Sequence, residues 1–185
     1  MSEIVGRAGG PRDAGQPAED SAALQTDVDG ARWLRRHMAA GAAIVSTVTD
    51  GGFRATTVNT CISTSLDPPQ FLVSIERDSQ MEDWLLQSAV FGISVLPWSE
   101  QFAADQFAGF TPLASSTFHG IDYFTSVTGA PLLTRCLAWA DCRLVQNLLT
   151  GDHRCFVGQA VGLGRGQGNP DQPLVSYVSR YRSLR

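Results

Sequence analysis

Cysteine is scarce: Cys61, Cys136, Cys142 and Cys155 are the only four in 185 residues. They show neither the paired spacing of a zinc site nor the density of a secreted disulfide scaffold, so reduced thiols in a cytoplasmic setting are the expectation. Histidine is scarcer still. His37, His119 and His153 stand far apart, which provides no metal-ligand set and no support for a Ser-His hydrolase. Basic residues are few as well: 14 Lys+Arg against 18 Asp+Glu give a net charge of -4, with no concentrated basic surface to attract nucleic acid. No run approaches the roughly 18 apolar residues of a membrane span, and the N-terminal stretch carries no apolar signal core. Nucleic acid and membrane are therefore both excluded as expected partners, and no internal repeat is visible.

What is present is the composition of a globular domain. Hydrophobic residues make up 43% and charged residues 17% of the chain, and at this length roughly 70% of the unfolded surface can be buried, so a core forms without staples. Residues 1–26 are rich in Gly, Ala, Pro, Asp and Glu, offer almost nothing to bury, and read as a flexible tail before a domain spanning 27–185. From Asp27, the residues Val28, Ala31, Trp33, Leu34 and Met38 make an apolar helical stripe that Gly41 ends. His37 falls near the end of this helix, where a positive charge suits the dipole. His119 falls in a Ser/Thr-rich loop.

The β-branched runs 42–49 and 53–60, joined by Asp50-Gly51-Gly52, carry a hairpin signal. The Asp67-Pro68-Pro69 corner leads into a strand over 71–75. Ser79-Gln80-Met81-Glu82 matches a capping box and predicts a short helix to about Gln87. A strand over 90–96 follows, then a helix from a Ser99 cap to about Ala108, a loop over 110–128, and two long strands over 137–149 and 154–163 around the Thr150-Gly151-Asp152-His153 turn. The four glycines of 162–168 read as a flexible loop. Many strands and few helices predict a mainly β fold, a closed or half-closed barrel.

The segment from Thr56 to Pro69 carries the chemistry. Its hydroxyls and one amide, on a strand and the turn after it, can bind a polar ligand without bringing charge. A planar ring with many acceptors and a phosphate tail suits such a lining. Equally, Thr is a good strand former and Ser a good turn former, and the residues alone leave both readings open.

The stretch Thr57-Val58-Asn59-Thr60, with Ser63-Thr64-Ser65-Leu66-Asp67-Pro68-Pro69 after it, resembles the flavin reductase-like family. That family carries a Gly-Met-Thr-Val-Asn-Ser-like strand and a Ser-x-Ser-Leu-Asp-Pro-Pro turn. Phe91-Gly92-Ile93-Ser94-Val95-Leu96, Gln106-Phe107-Ala108, Gly129-Ala130-Pro131-Leu132, Gly151-Asp152-His153 and Pro173-Leu174-Val175-Ser176-Tyr177 follow in the family's order, and that shared order is the specific part.

The resemblance implies an FMN-binding split β-barrel, Greek-key-like, forming a homodimer with FMN or FAD in a shared groove. It places Thr57, Val58, Asn59 and Thr60 along the flavin ring and ribityl chain, and Ser63, Thr64 and Ser65 nearer the phosphate. Arg77, Ser79 and Gln80 then complete phosphate binding, helped by a helix N-terminus. Asp152 and His153 fall beside the nicotinamide of NADH or NADPH, with Tyr177, Arg180 and Tyr181 closing that site. Hydride passes from the nucleotide to the flavin, so no catalytic side chain and no metal is expected. No Gly-x-Gly-x-x-Gly follows a strand, so the donor is not held by a Rossmann unit.

The implied use is the supply of reduced flavin to a separate monooxygenase. A flavin-binding or electron-transfer protein without reductase activity is the alternative. A pyridoxamine-phosphate-oxidase-like relative is the third, against which Asp67-Pro68-Pro69 and Gly151-Asp152-His153 both speak. Two departures stand out: Ala55-Thr56 replaces Gly-Met, and Cys61-Ile62 replaces an aromatic-Ser pair. Both alter the volume of the lining and leave its polarity.

Overall fold

The computed structural model describes residues 24–109 and 116–184. The proposed tail over 1–26 thus lies almost wholly outside the described residues, as does 110–115 of the expected loop. Two compact units meet at the Arg35/Arg36 boundary. In the first, helix α1 (Val28–Arg36) is capped by Asp27, whose Oδ1 accepts the Gly30 amide at 2.8 Å, and Val28, Trp33 and Leu34 are exposed. Gly41, the expected helix stop, belongs instead to a short strand, β1 (Ala40–Gly41).

The second unit is built on a seven-stranded antiparallel sheet. In chain order its strands are β2 (Ala43–Thr49), β3 (Gly52–Val58), β4 (Cys61–Leu66), β5 (Pro69–Glu76), β6 (Val90–Val95), β9 (Ala138–Thr150) and β10 (His153–Arg165). The spatial order is β3-β2-β6-β9-β10-β5-β4. Strands β7 (Tyr123–Thr125) and β8 (Pro131–Leu133) pair with each other, and β1 joins β11 (Leu174–Tyr177) and β12 (Arg180–Ser183) in a three-stranded sheet. Helix α2 spans Gln80–Ser88 and α3 spans Gln101–Ala108.

Alternation along β2 sets the layers. In β2, Ala43 and Val45 enter a core with Val73, Phe91, Ile93 and Phe156 that α2 closes with Met81 and Leu85. Ile44 points the other way, into a second core with Leu96, Leu133 and Leu174 under Ala103, Ala104 and Phe107 of α3. A strand covered on both faces reads as one apolar run, as 42–45 does, with Ser46 and Thr47 buried beyond it. Buried Asp141 accepts the amide of Thr128 at 2.8 Å and its hydroxyl, which satisfies the carboxylate and pins the Gly129-Ala130-Pro131 turn.

Three local expectations are corrected. Residues 61–66, read as turn, are strand β4, because β5 offers them a partner ladder; a bulge between Ser63 and Ser65 leaves Thr64 unpaired. Ser99 does not cap α3. It sits inside a 3-10 turn, Trp98–Glu100, because the Trp98 amide is taken by the Gln172 carbonyl at 2.7 Å and the helix starts beyond that turn. The 110–128 segment, expected to be mostly loop, carries one three-residue strand, β7, among its described residues. Finally, Gly162 and Gly164 belong to β10, not to a flexible loop: Gly164 pairs with Trp139, and a Cβ there would lie 2.4 Å from the Trp139 ring.

Candidate functional site

Residues 57–65 link the two outermost strands of the sheet, since β3 and β4 are neighbours in sequence but stand at opposite ends of the strand order. The Thr57 hydroxyl donates to the Ala104 carbonyl of α3 at 2.7 Å, and Val58 faces the first core. Both side chains are therefore committed to packing. Asn59 and Thr60 are exposed, and the Thr60 carbonyl accepts the Ser74 amide at 3.3 Å. Ser63 and Thr64 are exposed and Ser65 half-buried, on an edge strand whose outer backbone groups face away from any ladder. Among the described residues, the side chains of Asn59, Thr60, Ser63, Thr64 and Ser65 make no hydrogen bond. A polar, uncharged donor-acceptor set is thus available to a ligand.

At the end of β5 the chain turns through Arg77-Asp78-Ser79 into α2. Ser79 is the N-cap: its hydroxyl accepts the Glu82 amide at 3.3 Å and donates to the Glu76 carbonyl at 2.7 Å. Glu82 closes the box one residue further back than usual, with Oε2 accepting the Asp78 amide at 2.6 Å. Its Oε1 accepts Arg154 Nε at 2.6 Å. The Arg154 hydrogen bond holds the Glu82 carboxyl below the usual carboxylate range, against the opposing effect of burial, with the Asp78 amide helping. Arg77 is half-exposed beside Asp78, with Nε 3.6 Å from Oδ1, and Gln80 is exposed in the first turn of α2.

The β9–β10 hairpin turns on Gly151, whose φ of 63° is the conformation a glycine takes at no steric cost. Asp152 Oδ1 lies 2.8 Å from His153 Nδ1, which sets the ring's orientation and leaves Nε2 as its outer tip. His153 pairs with Glu76 across the β10–β5 ladder, and the Arg77 amide donates to the Asp152 carbonyl at 3.0 Å. The Arg77–Gln80 turn and the Gly151–His153 turn, far apart in sequence, are therefore adjacent.

Tyr177, Arg180 and Tyr181 lie on the three-stranded sheet. Tyr177 meets the His37 ring edge-on at 6.2 Å. The Tyr181 hydroxyl binds Asp105, and burial first, then Asp105, pushes it up to about 12. Sequence reasoning missed Glu82 as anything but a cap and missed Arg154 altogether; their separation of 72 residues carries no local signal. Burial pushes the Cys61 and Cys136 thiols up to about 11 and Cys142 to about 12, which disfavours the reactive thiolate at these three positions. Among the described residues no cluster of three or more His, Cys, Asp or Glu side chains could hold a metal, and no helix is long and apolar enough to cross a membrane.

Residues 34–185 match the model of the flavin reductase like domain. The chain belongs to that family. The NADH-dependent flavin reductase StyB of Pseudomonas fluorescens is 31% identical over 148 residues, covering 77% of this chain and 82% of the relative. The flavin-dependent monooxygenase reductase subunit HsaB of Rhodococcus jostii is 28% identical over 144 residues, covering 78% and 71%. The crystal structure of BorF, the flavin reductase component of a bacterial two-component tryptophan halogenase, superposes with a TM-score of 0.76 at 31% identity, covering 85% of this chain and 98% of BorF.

The split-barrel fold of the flavin reductase like domain is thus the frame in which the site stands. Its residues suit a flavin: the open hydroxyl and amide set on 59–65 matches the many acceptors and donors of the ring and ribityl chain. The α2 N-terminus with Arg77 suits the phosphate end.

Proposed function

We propose that the chain is a flavin reductase that takes hydride from NADH and delivers it to FMN or FAD for use by a separate oxygenase. The observation that carries this reading is the adjacency of the two turns, joined by the Arg77 amide and the Asp152 carbonyl. A phosphate-binding turn beside a histidine hairpin brings flavin and nucleotide to one end of the sheet, where proximity and orientation do the work. The isoalloxazine, when bound, accepts the hydride. The protein binds, orients and excludes water: Asn59, Thr60, Ser63, Thr64 and Ser65 hold the ring and ribityl side, while Arg77, Ser79 and Gln80 hold the phosphate. His153, oriented by Asp152, hydrogen-bonds or stacks on the nicotinamide half of the donor. Thr57 and Val58 act through their backbone.

Tyr177, Arg180 and Tyr181 reach the donor across a homodimer interface in this reading. Support for a dimer comes from apolar side chains left open on the large sheet, Ile62 and Leu66 on edge strand β4 and Val145, Leu148 and Leu149 on β9. Patches of this kind mark association surfaces. Light scattering at micromolar concentration is expected to give twice the 19.9 kDa chain mass; a monomeric mass overturns the shared groove. The identification of HsaB as a reductase subunit and of BorF as one component of two supports an oxygenase or halogenase partner that receives the reduced flavin.

Steady-state NADH oxidation tests the activity. Oxidation is expected only when FMN or FAD is added or already bound, and its absence with both flavins refutes the reductase reading. A protein that retains flavin yet does not oxidise NADH would be the non-catalytic flavin-binding alternative. In the same assay His153→Ala is expected to raise the KM for NADH about tenfold, roughly 1.4 kcal/mol, with the flavin KM unchanged. An unaltered NADH KM removes His153 from the donor site.

A further inference from the structure

We propose that Glu82 and Arg154 are a positioning pair that fixes the phosphate turn against the donor hairpin, so that hydride transfer depends on two side chains that touch neither ligand. The inference rests on the flavin reductase reading above.

Glu82 is only 4% exposed, and its carboxylate is divided between two loops. Oε2 accepts the amide of Asp78, inside the phosphate turn, and Oε1 accepts Nε of Arg154, the residue after His153, both at 2.6 Å. Arg154 Nη1 donates to Asn147 Oδ1 at 2.6 Å, which ties in the other strand of the same hairpin. The guanidinium fork therefore grips both strands of the donor hairpin while the carboxylate grips the turn beside it.

Capping α2 needs none of this. Ser79 already satisfies the Glu82 amide, and an exposed glutamate closes a capping box without desolvation. Glu82 instead reaches past the N-cap to Asp78, which stands at a φ of 61°, and gives its second oxygen to another element. Burying an ion pair carries a desolvation penalty that can consume much of its attraction, so the gain assigned to this pair is a fixed register between the elements it joins. The β5–β10 ladder ends at Glu76 and His153. Beyond it, among the described residues, the two turns are tied by the Arg77 amide and by this bridge.

The pair is removed with least harm as Glu82→Leu/Arg154→Met, which deletes both charges at similar volume and leaves no lone buried ion. This double variant is expected to fold, to lose about tenfold in kcat for flavin reduction, and to show raised KM for NADH and for flavin together. Its primary isotope effect with NADH deuterated at the transferred position is expected to rise, because a misaligned transfer becomes the slow step. Arg154→Lys keeps the charge but loses the fork, and is expected to fall between the double variant and wild type.

Wild-type kcat, KM and isotope effect in the folded double variant would overturn the inference. Should the double variant not fold, the same three quantities in Arg154→Lys decide it in the same way. If the wild-type protein does not oxidise NADH with either flavin, the reductase reading fails and takes this inference with it. An active wild type with an indifferent variant sinks the positioning role alone.

Discussion

Phe156→Ala is expected to cost about 4 kcal/mol of stability, within the usual range for a large aromatic removed from a core. Phe156 is fully buried in the core formed by Val45, Val73, Phe91 and Ile93, where it stands opposite Val73 of β5. These neighbours come from three strands, so the hole cannot close by the shift of one. For a chain of this size each kcal/mol moves Tm by about 2–4 °C, which gives a fall of roughly 8–16 °C in a thermal melt followed by circular dichroism. A fall of less than about 3 °C would show that this core is far softer than close packing allows. Because Phe156 follows His153 by three residues on β10, the NADH KM in the surviving folded protein is expected to rise as well.

The opposite change two residues on is expected to do comparable harm. Gly158 lies at a bulge in β10, and a Cβ built there would stand 2.4 and 2.6 Å from the Cζ and Cε1 atoms of Phe91 and 2.8 Å from Cys142 Cβ. Phe91 and Cys142 are both buried and have nowhere to move. Gly158→Val is therefore expected to lose about 3 kcal/mol through overpacking, read as a lowered urea midpoint with an unchanged slope. Coupling supplies the control: Phe91→Leu vacates the space the new side chain needs, so the double variant is expected to be more stable than the sum of the two losses. Strict additivity would show that the clash with Phe91 is not the cause.

Periodicity made much of the fold legible. The β2–β3 hairpin announces itself by β-branched runs around Asp50-Gly51-Gly52, and the β9–β10 hairpin by two long strands around a glycine turn, since both signals are local. Ser79 as the α2 cap is equally local, and the structure places it so. Ser99 carries the same local signal and fails, because a distant carbonyl, that of Gln172, claims the neighbouring Trp98 amide. Strand β4 hides for a related reason: Ser63-Thr64-Ser65 has turn chemistry, and only the adjacent β5 makes it a strand. Gly162 and Gly164 look flexible in isolation, but both pair in the β9–β10 ladder, and at Gly164 the ring of Trp139 occupies the space a side chain would fill.

The candidate site divides along the same line. Its residue types were legible on 57–65, whereas the commitment of the Thr57 hydroxyl to α3 was not, because the Ala104 carbonyl lies 47 positions away. The closeness of Arg77 to Asp152 depends on strand order, which no window of sequence contains.

That strand order has a consequence for assembly and turnover. The segment 57–65 joins the first and last members of a seven-member series, so the placement of its two ends depends on all the strands between them. On the proposed reading of this segment as a flavin contact, an incomplete sheet is expected to lack a complete binding surface. Occupancy by flavin is then coupled to the global unfolding equilibrium in full, by RT ln(1 + [L]/Kd). In the proposed reading, added flavin is therefore expected to raise the melting temperature of the folded protein.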